Sequence, residues 1–141
     1  MKKRDERHTV IRQIIRSENI KTQRDLVDRL VARGYQCTQA TISRDISEMG
    51  LRKSTDGSYV LAEDLNLKRM VQSMVTSIER TGNLVVIKVS PGVASGVAAA
   101  LDAADLPQVM GTIAGDDTIL VIGRTDEMAE EFEGGIRRMH G

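Results

Sequence analysis

The sequence carries one cysteine, Cys37, in 141 residues. No internal disulfide can form, which fits a reducing compartment and excludes a disulfide-stapled secreted scaffold. Tryptophan is absent and aromatics make up 2% of the chain, so a core has to be assembled from Val, Ile, Leu, Met and Ala. No apolar run approaches the roughly 18 residues of a membrane span, and no signal-peptide core follows the first residue. The expectation is a soluble, cytoplasmic protein with no membrane contact. The two histidines, His8 and His140, stand near the ends without partners at ligand spacing, so neither a metal site nor a catalytic residue is expected. No repeat or low-complexity tract is present.

What is there is divided by charge. The formal net charge is zero, yet residues 1–62 hold 13 Lys and Arg against 8 Asp and Glu, while residues 63–141 hold 7 against 12. Such asymmetry suggests that the basic half meets nucleic acid or a membrane surface, although a basic solvated face has the same composition. The expected organisation is a domain over 1–62, a polar linker at 63–66 and a second domain over 67–141.

In the basic half, Ile11, Ile14 and Ile15 share one face of a helix over His8–Arg16. A second helix starts at Thr22, where Thr22 and Asp25 resemble a capping box. Its apolar stripe is Leu26, Val27, Leu30 and Val31, and Gly34 stops it. A third runs from an N-cap at Thr38 to Gly50, with the sequence TQATISRDISEM. Ile42, Ile46 and Met49 face inward. Ala40, Ser43, Arg44 and Ser47 lie opposite, with Gln39 and Thr41 at the N-terminal flank. Small side chains let a helix settle into a major groove, Ser, Thr and Gln bond base edges or phosphates, and Arg clamps guanine or phosphate. After Gly50, Asp56-Gly57 marks a hairpin turn between two short strands, with Arg52 and Lys53 placed to reach a phosphate or minor groove. Three helices and a hairpin, in that order, describe a winged helix-turn-helix. The alternative is a three-helix scaffold whose last helix merely faces solvent.

The acidic half reads as a small α/β domain. Leu67, Val71, Met74, Val75 and Ile78 suggest a helix ending at Thr81-Gly82-Asn83. Leu84–Val89 reads as a mostly buried strand, Ala94–Ala104 as an Ala-rich helix whose small side chains permit close packing, and Val109–Ala114 with Thr118–Gly123 as an antiparallel hairpin. Asp126 caps a last helix over 127–139, with Met128, Phe132, Ile136 and Met139 inward. The expected order is α-β-α-β-β-α on a largely antiparallel sheet, giving an α+β chain overall. So small a domain with almost no aromatics has a thin core, which oligomerisation would supplement.

The hairpin turn is Gly115-Asp116-Asp117-Thr118. One Asp suffices for the turn, and a second adds like-charge repulsion that a cation would relieve. The residues leave three readings open: a plain turn, a cationic organic ligand or an Arg from another subunit, or a metal ion. Guanidinium suits two carboxylates best because its planar fork binds them in a bidentate manner. No further carboxylates flank the turn as a metal would want.

TQATISRDISEMGL, together with PG and LPQVMGTIAGDDTILVI, resembles the bacterial arginine repressor family along nearly the whole chain, and GTIAGDDT is the more specific mark. The resemblance implies a winged-helix DNA-binding domain joined to an effector domain that trimerises, with two trimers stacked into a hexamer and L-arginine bound between them as corepressor. It implies repression at palindromic operators of arginine biosynthesis genes; some members also activate arginine catabolism. By position, Asp116 and Asp117 match the family's acidic pair at the arginine site, and Asp102 matches a further acidic position. Ser43 and Arg44 match its DNA-contacting pair. Ser95 departs from the pattern, standing where relatives carry a longer polar residue such as Gln. No other cofactor is implied. Two competing functions are an enzyme using Asp102, Asp116 and Asp117 as acid/base groups, although no His, Cys or Lys lies near them in sequence, and a regulator of the same build with another effector.

Overall fold

The computed structural model describes residues 2–141. The chain divides after Ala62 into two compact units, each with its own apolar core.

The first unit contains α1 (Lys2–Ser17), α2 (Gln23–Ala32), α3 (Gln39–Met49) and the antiparallel hairpin β1 (Leu51–Lys53) and β2 (Tyr59–Leu61). α1 starts well before His8, because Lys3, Arg4 and Glu6 are good helix formers and no breaker intervenes. The Thr22 hydroxyl accepts the Asp25 amide at 3.0 Å, and the Thr38 hydroxyl accepts that of Thr41 at 3.2 Å, each satisfying an orphan donor of the first turn. Gly50 ends α3 at φ 67°, a conformation glycine adopts without steric cost. Ile11, Ile14, Leu26, Leu30, Ile42 and Leu61 are fully buried between these elements. Val31, expected on the α2 stripe, is 55% exposed; it lies a further 100° round the helix from Leu30, beyond the buried arc. At the hairpin tip the Asp56 carboxylate accepts the Ser54 and Ser58 hydroxyls and the Ser58 amide. These bonds, that from Ser54 foremost, hold its carboxyl far below the usual carboxylate range.

The second unit contains α4 (Ala62–Met74), β3 (Val75–Thr81), β4 (Leu84–Val89), α5 (Ala94–Ala104), β5 (Val109–Ala114), β6 (Thr118–Gly123) and α6 (Asp126–His140). Two expectations are corrected. Residues 63–66 are not an irregular linker but the opening turns of α4. Val75–Thr81 is a strand rather than the end of a helix, so the order is α-β-β-α-β-β-α. The reason is a register shift between Val75 and Ser77 in the β3–β4 ladder. A bulge adds one residue, so Val75 and Ile78 both point inward three positions apart, the spacing of a helix face.

The sheet is antiparallel throughout, in the order β3-β4-β6-β5. Ile78, Val85, Ile87, Val89, Ile119 and Val121 form one core with residues of α4, α5 and α6. The alternate residues face the other way. Leu84, Val86, Leu120 and Ile122 are only half-buried, and Ile113, opposite Leu120, is 63% exposed. Among the described residues of this unit, no helix or strand covers this apolar face.

α6 is capped by Thr125, whose hydroxyl accepts the Met128 amide at 3.0 Å, rather than by Asp126. Asp126 and Glu127 instead occupy the first turn, where they complement the helix dipole. Phe132 and Ile136 are buried, but Met128, in that same first turn, is 37% exposed. The start of α6 presses on the end of β6: a Cβ at Gly123 would lie 2.7 Å from the Ala129 Cβ and 3.0 Å from its Cα. Because backbone would have to move, Gly123→Ala is expected to cost about 2 kcal/mol. Thermal unfolding measures that loss, and an unchanged midpoint would mean that the contact is loose.

Candidate DNA-reading face and acidic ligand surface

α3 presents Gln39, Ser43, Arg44 and Ser47 to solvent. No described residue bonds the Arg44 guanidinium or the hydroxyls of Ser43 and Ser47, and all three side chains are exposed. Ser43 and Ser47 line a shallow groove with Gln23, Gly50, Leu51 and Arg52. Gln23, the first residue of α2, escaped the sequence reading: its place after the Thr22 cap is legible, but its approach to α3 is a tertiary fact. Thr41 is half-buried, and its hydroxyl lies 3.0 Å from that of Thr38. Lys53 departs from the expectation for the wing. Its ammonium sits 4.3 Å from the Tyr59 ring centroid and donates to the Lys21 carbonyl. A cation–π contact and a carbonyl bond draw it back onto the domain, leaving Arg52 as the outward cation of β1.

The opposite side of α3 holds a feature with no local sequence signal. Asp45 is 1% exposed. Arg7 on α1 grips it with Nη2 on Oδ1 at 3.0 Å and Nε on Oδ2 at 2.5 Å, and His8 Nε2 donates to Oδ1 at 2.9 Å. The partners lie 37 and 38 positions away in the chain. His8 therefore does have partners: its ring, Asp45 and Glu48 bring ligand-type atoms within 4.8 Å of one another. Arg7 already pairs with Asp45, and Arg4 approaches Glu48 at 3.6 Å, so a divalent cation there would face two guanidiniums.

Burial pushes the Asp45 carboxyl up, but the hydrogen bonds from Arg7 and His8 outweigh it and leave the group below its usual range. A depressed folded-state value stabilises the native form. That contribution is fully present above the unfolded-state pKa of about 3.9 and is lost as pH falls through the lower folded value. The acid limb of unfolding, followed by denaturant titration downward from pH 5, is expected to be steeper for the parent than for Asp45→Asn. Superimposable limbs would contradict it. Cys37 packs half-buried against the same core, and burial pushes its thiol up, which suits a packed small residue rather than a reactive thiolate.

In the second unit, the β5–β6 turn is fastened to the start of α5 through its backbone. The Asp116 carbonyl accepts the Gly92 amide at 3.1 Å and the Ala94 amide at 3.2 Å, and the Asp117 carbonyl accepts Val89 at 2.9 Å. Both Asp116 and Asp117 side chains are exposed. Asp117 Oδ1 accepts the Thr118 hydroxyl at 2.9 Å, which in turn accepts Lys88 at 2.8 Å. No described cation forms an ion pair with either Asp. Ser95 and Asp102 are seven residues apart on the exposed side of α5, hence on one flank about 10 Å apart along the axis. Asp102 accepts the Thr112 hydroxyl at 3.0 Å and borders a small hollow with Asp105, Val109, Met110, Gly111 and Arg124. These acids occupy an open surface, not an enclosed cavity.

Three helices and a hairpin with an exposed polar face on the third helix, joined in one chain to a separate α/β unit, have the build of a DNA-binding regulator. Residues 1–67 match the model for the arginine repressor DNA binding domain, and residues 71–138 match that for the arginine repressor C-terminal domain. The chain is 47% identical to an arginine repressor of Thermus thermophilus, covering 91% of this chain and 85% of the relative. It is 48% identical to one of Shouchella clausii, over 86% and 88% respectively, and 43% identical to one of Symbiobacterium thermophilum, over 93% and 97%. The chain belongs to the arginine repressor family. It is a DNA-binding transcriptional repressor and not an enzyme. No described helix is long and apolar enough to cross a membrane.

Proposed function

We propose that this repressor acts in the cytoplasm on operators of arginine biosynthesis genes, with L-arginine as corepressor, and works as a homo-oligomer of trimers pairing into a hexamer. The observation that carries the reading is the pair of exposed carboxylates on Asp116 and Asp117, which no described cation neutralises. Arginine brings a guanidinium and an ammonium, and each can meet a carboxylate in charge-assisted bonds. Small-ligand sites normally enclose most of their ligand. Asp102, Asp116 and Asp117 lie on an open surface, so enclosure calls for a second copy to cover them. Ser95 joins them as a short polar contact, leaving room for a bridging water. The apolar sheet face around Ile113, Leu120 and Ile122 supports the same conclusion, because a thin core gains buried surface by association.

In the first unit, Gln39, Thr41, Ser43, Arg44, Ser47 and Arg52 form the DNA contact surface, with Gln23 added from the groove. Lys53 contributes only if it leaves Tyr59. Filling an acidic seam with a cation turns repulsion between copies into attraction, so ligand binding and assembly are reciprocally linked, and a larger assembly sets several basic domains on one DNA.

The test is operator binding by gel shift with and without L-arginine, with L-ornithine and citrulline as parallel arms, alongside sedimentation of the same samples. Arginine is expected to tighten DNA binding and raise the sedimenting mass. Binding should also weaken steeply with salt. An equal response to ornithine would favour another effector, a reading to which the short Ser95 side chain lends some weight. Indifference to all three ligands would remove the sensing claim.

A further inference from the structure

Among the described residues, Asp45 is the only charged side chain buried to the level of the apolar core. The apolar core of the same unit contains Ile11, Ile14, Leu26, Leu30 and Ile42. A buried ion pair is a weak source of net stability, because desolvating both charges offsets their attraction and an apolar pair of similar volume often does as well. The best-attested use of such a pair is to fix register between packed elements.

The geometry suits that use. α3 packs chiefly on α2 and β1, and apolar packing is non-directional, so the burial of Ile42 alone would tolerate small rotations of α3. A guanidinium fork is planar and directional. Two Arg7 nitrogens engage both Asp45 oxygens, and His8 engages Oδ1 from the next position on α1. Asp45 lies directly after Arg44 and two residues from Ser43 and Ser47. Each residue turns a helix by 100°, so a small rotation of α3 re-aims every one of those side chains. We propose that Arg7, His8 and Asp45 form a positioning clamp that sets the angular pose of α3, and through it which bases the repressor prefers. Arg7 and Asp45 are positioning residues here, and neither is assigned a contact with DNA.

The inference rests on α3 being the helix that reads DNA, and the test separates the two claims. The probe is a duplex selected by the parent protein from a randomised pool in excess L-arginine, competed against a random duplex of equal length. Three variants of the full chain are compared: Asp45→Asn, Arg7→Lys, and the double apolar change Arg7→Met with Asp45→Leu. Each is expected to lower the selected-to-random affinity ratio by about tenfold or more, the scale of a lost base contact. The dependence of random-duplex binding on salt should stay as in the parent, because phosphate contacts are untouched. The double change should regain the parent's unfolding temperature without regaining the ratio, which a purely structural pair would not do. If the double variant is stable and keeps the parent ratio, or if Arg7→Lys alone retains it, the clamp is overturned. A lower salt slope in the double variant, which removes the Arg7 charge, would also overturn it by making Arg7 a phosphate contact. Arg44→Ala runs in the same assay. If it leaves both the ratio and the affinity for the selected duplex unchanged, α3 is not the reader. If it lowers the ratio while the clamp variants do not, the clamp alone fails.

Discussion

Asp117→Asn is expected to weaken L-arginine binding by about 30-fold or more, the scale set by removing one partner of an enclosed charge pair. The change is confined to charge. The Asp117 carbonyl, not its side chain, holds the turn to Val89 at 2.9 Å, and an Asn oxygen can still accept the Thr118 hydroxyl that now sits at 2.9 Å. Fold and arginine-independent DNA contact should therefore persist while the arginine response collapses. Calorimetric titration with L-arginine measures the first effect, and a gel shift without arginine measures the second. On the proposed linkage of ligand and assembly, the variant should need correspondingly more arginine to reach the parent's sedimenting mass. Parallel losses in arginine binding and in arginine-free DNA binding would sink the division of labour between the two units.

Arg44→Ala is expected to act on the other unit. Its guanidinium is bonded to no described residue, and it stands on the exposed face of α3 between Ser43 and the buried Asp45. Loss of one bidentate contact is worth about tenfold per reading domain, and two domains on one operator give about a hundredfold. The salt dependence tells which contact is lost. A slope reduced by about one per domain marks a phosphate, and an unchanged slope with relaxed sequence preference marks a base edge. Arginine binding and sedimentation should be those of the parent. Unaltered operator affinity would move the reading surface away from α3.

Much of this was legible because the local chemistry was explicit. Thr22 and Thr38 announce helix starts, Gly50 a stop, and Asp56-Gly57 a hairpin, and each does its work within a few residues. The four-stranded sheet was harder. β3 carries a bulge that gives Val75 and Ile78 the three-residue spacing of a helix, so periodicity pointed to the wrong element. Thr125 and Asp126 are both competent caps, and only the backbone decides between them. The acidic pair was visible from like charges crowded into one turn. The Arg7–Asp45 pair was not, because its members lie 38 residues apart and Asp45 looks like one more polar residue on a helix. Lys53 reads as a free wing cation until Tyr59 is seen beneath it.

The fastening of the β5–β6 turn has an evolutionary corollary. Main-chain oxygens at positions 116 and 117 do the anchoring, and the side-chain bond from the Thr118 hydroxyl to Asp117 is local to the turn. On the proposed reading, a lineage can therefore exchange the two side chains, and with them the metabolite it listens for, while the scaffold around them stays in place. In such a molecule a change of signal asks for new chemistry at the tip of one hairpin, not for a new fold.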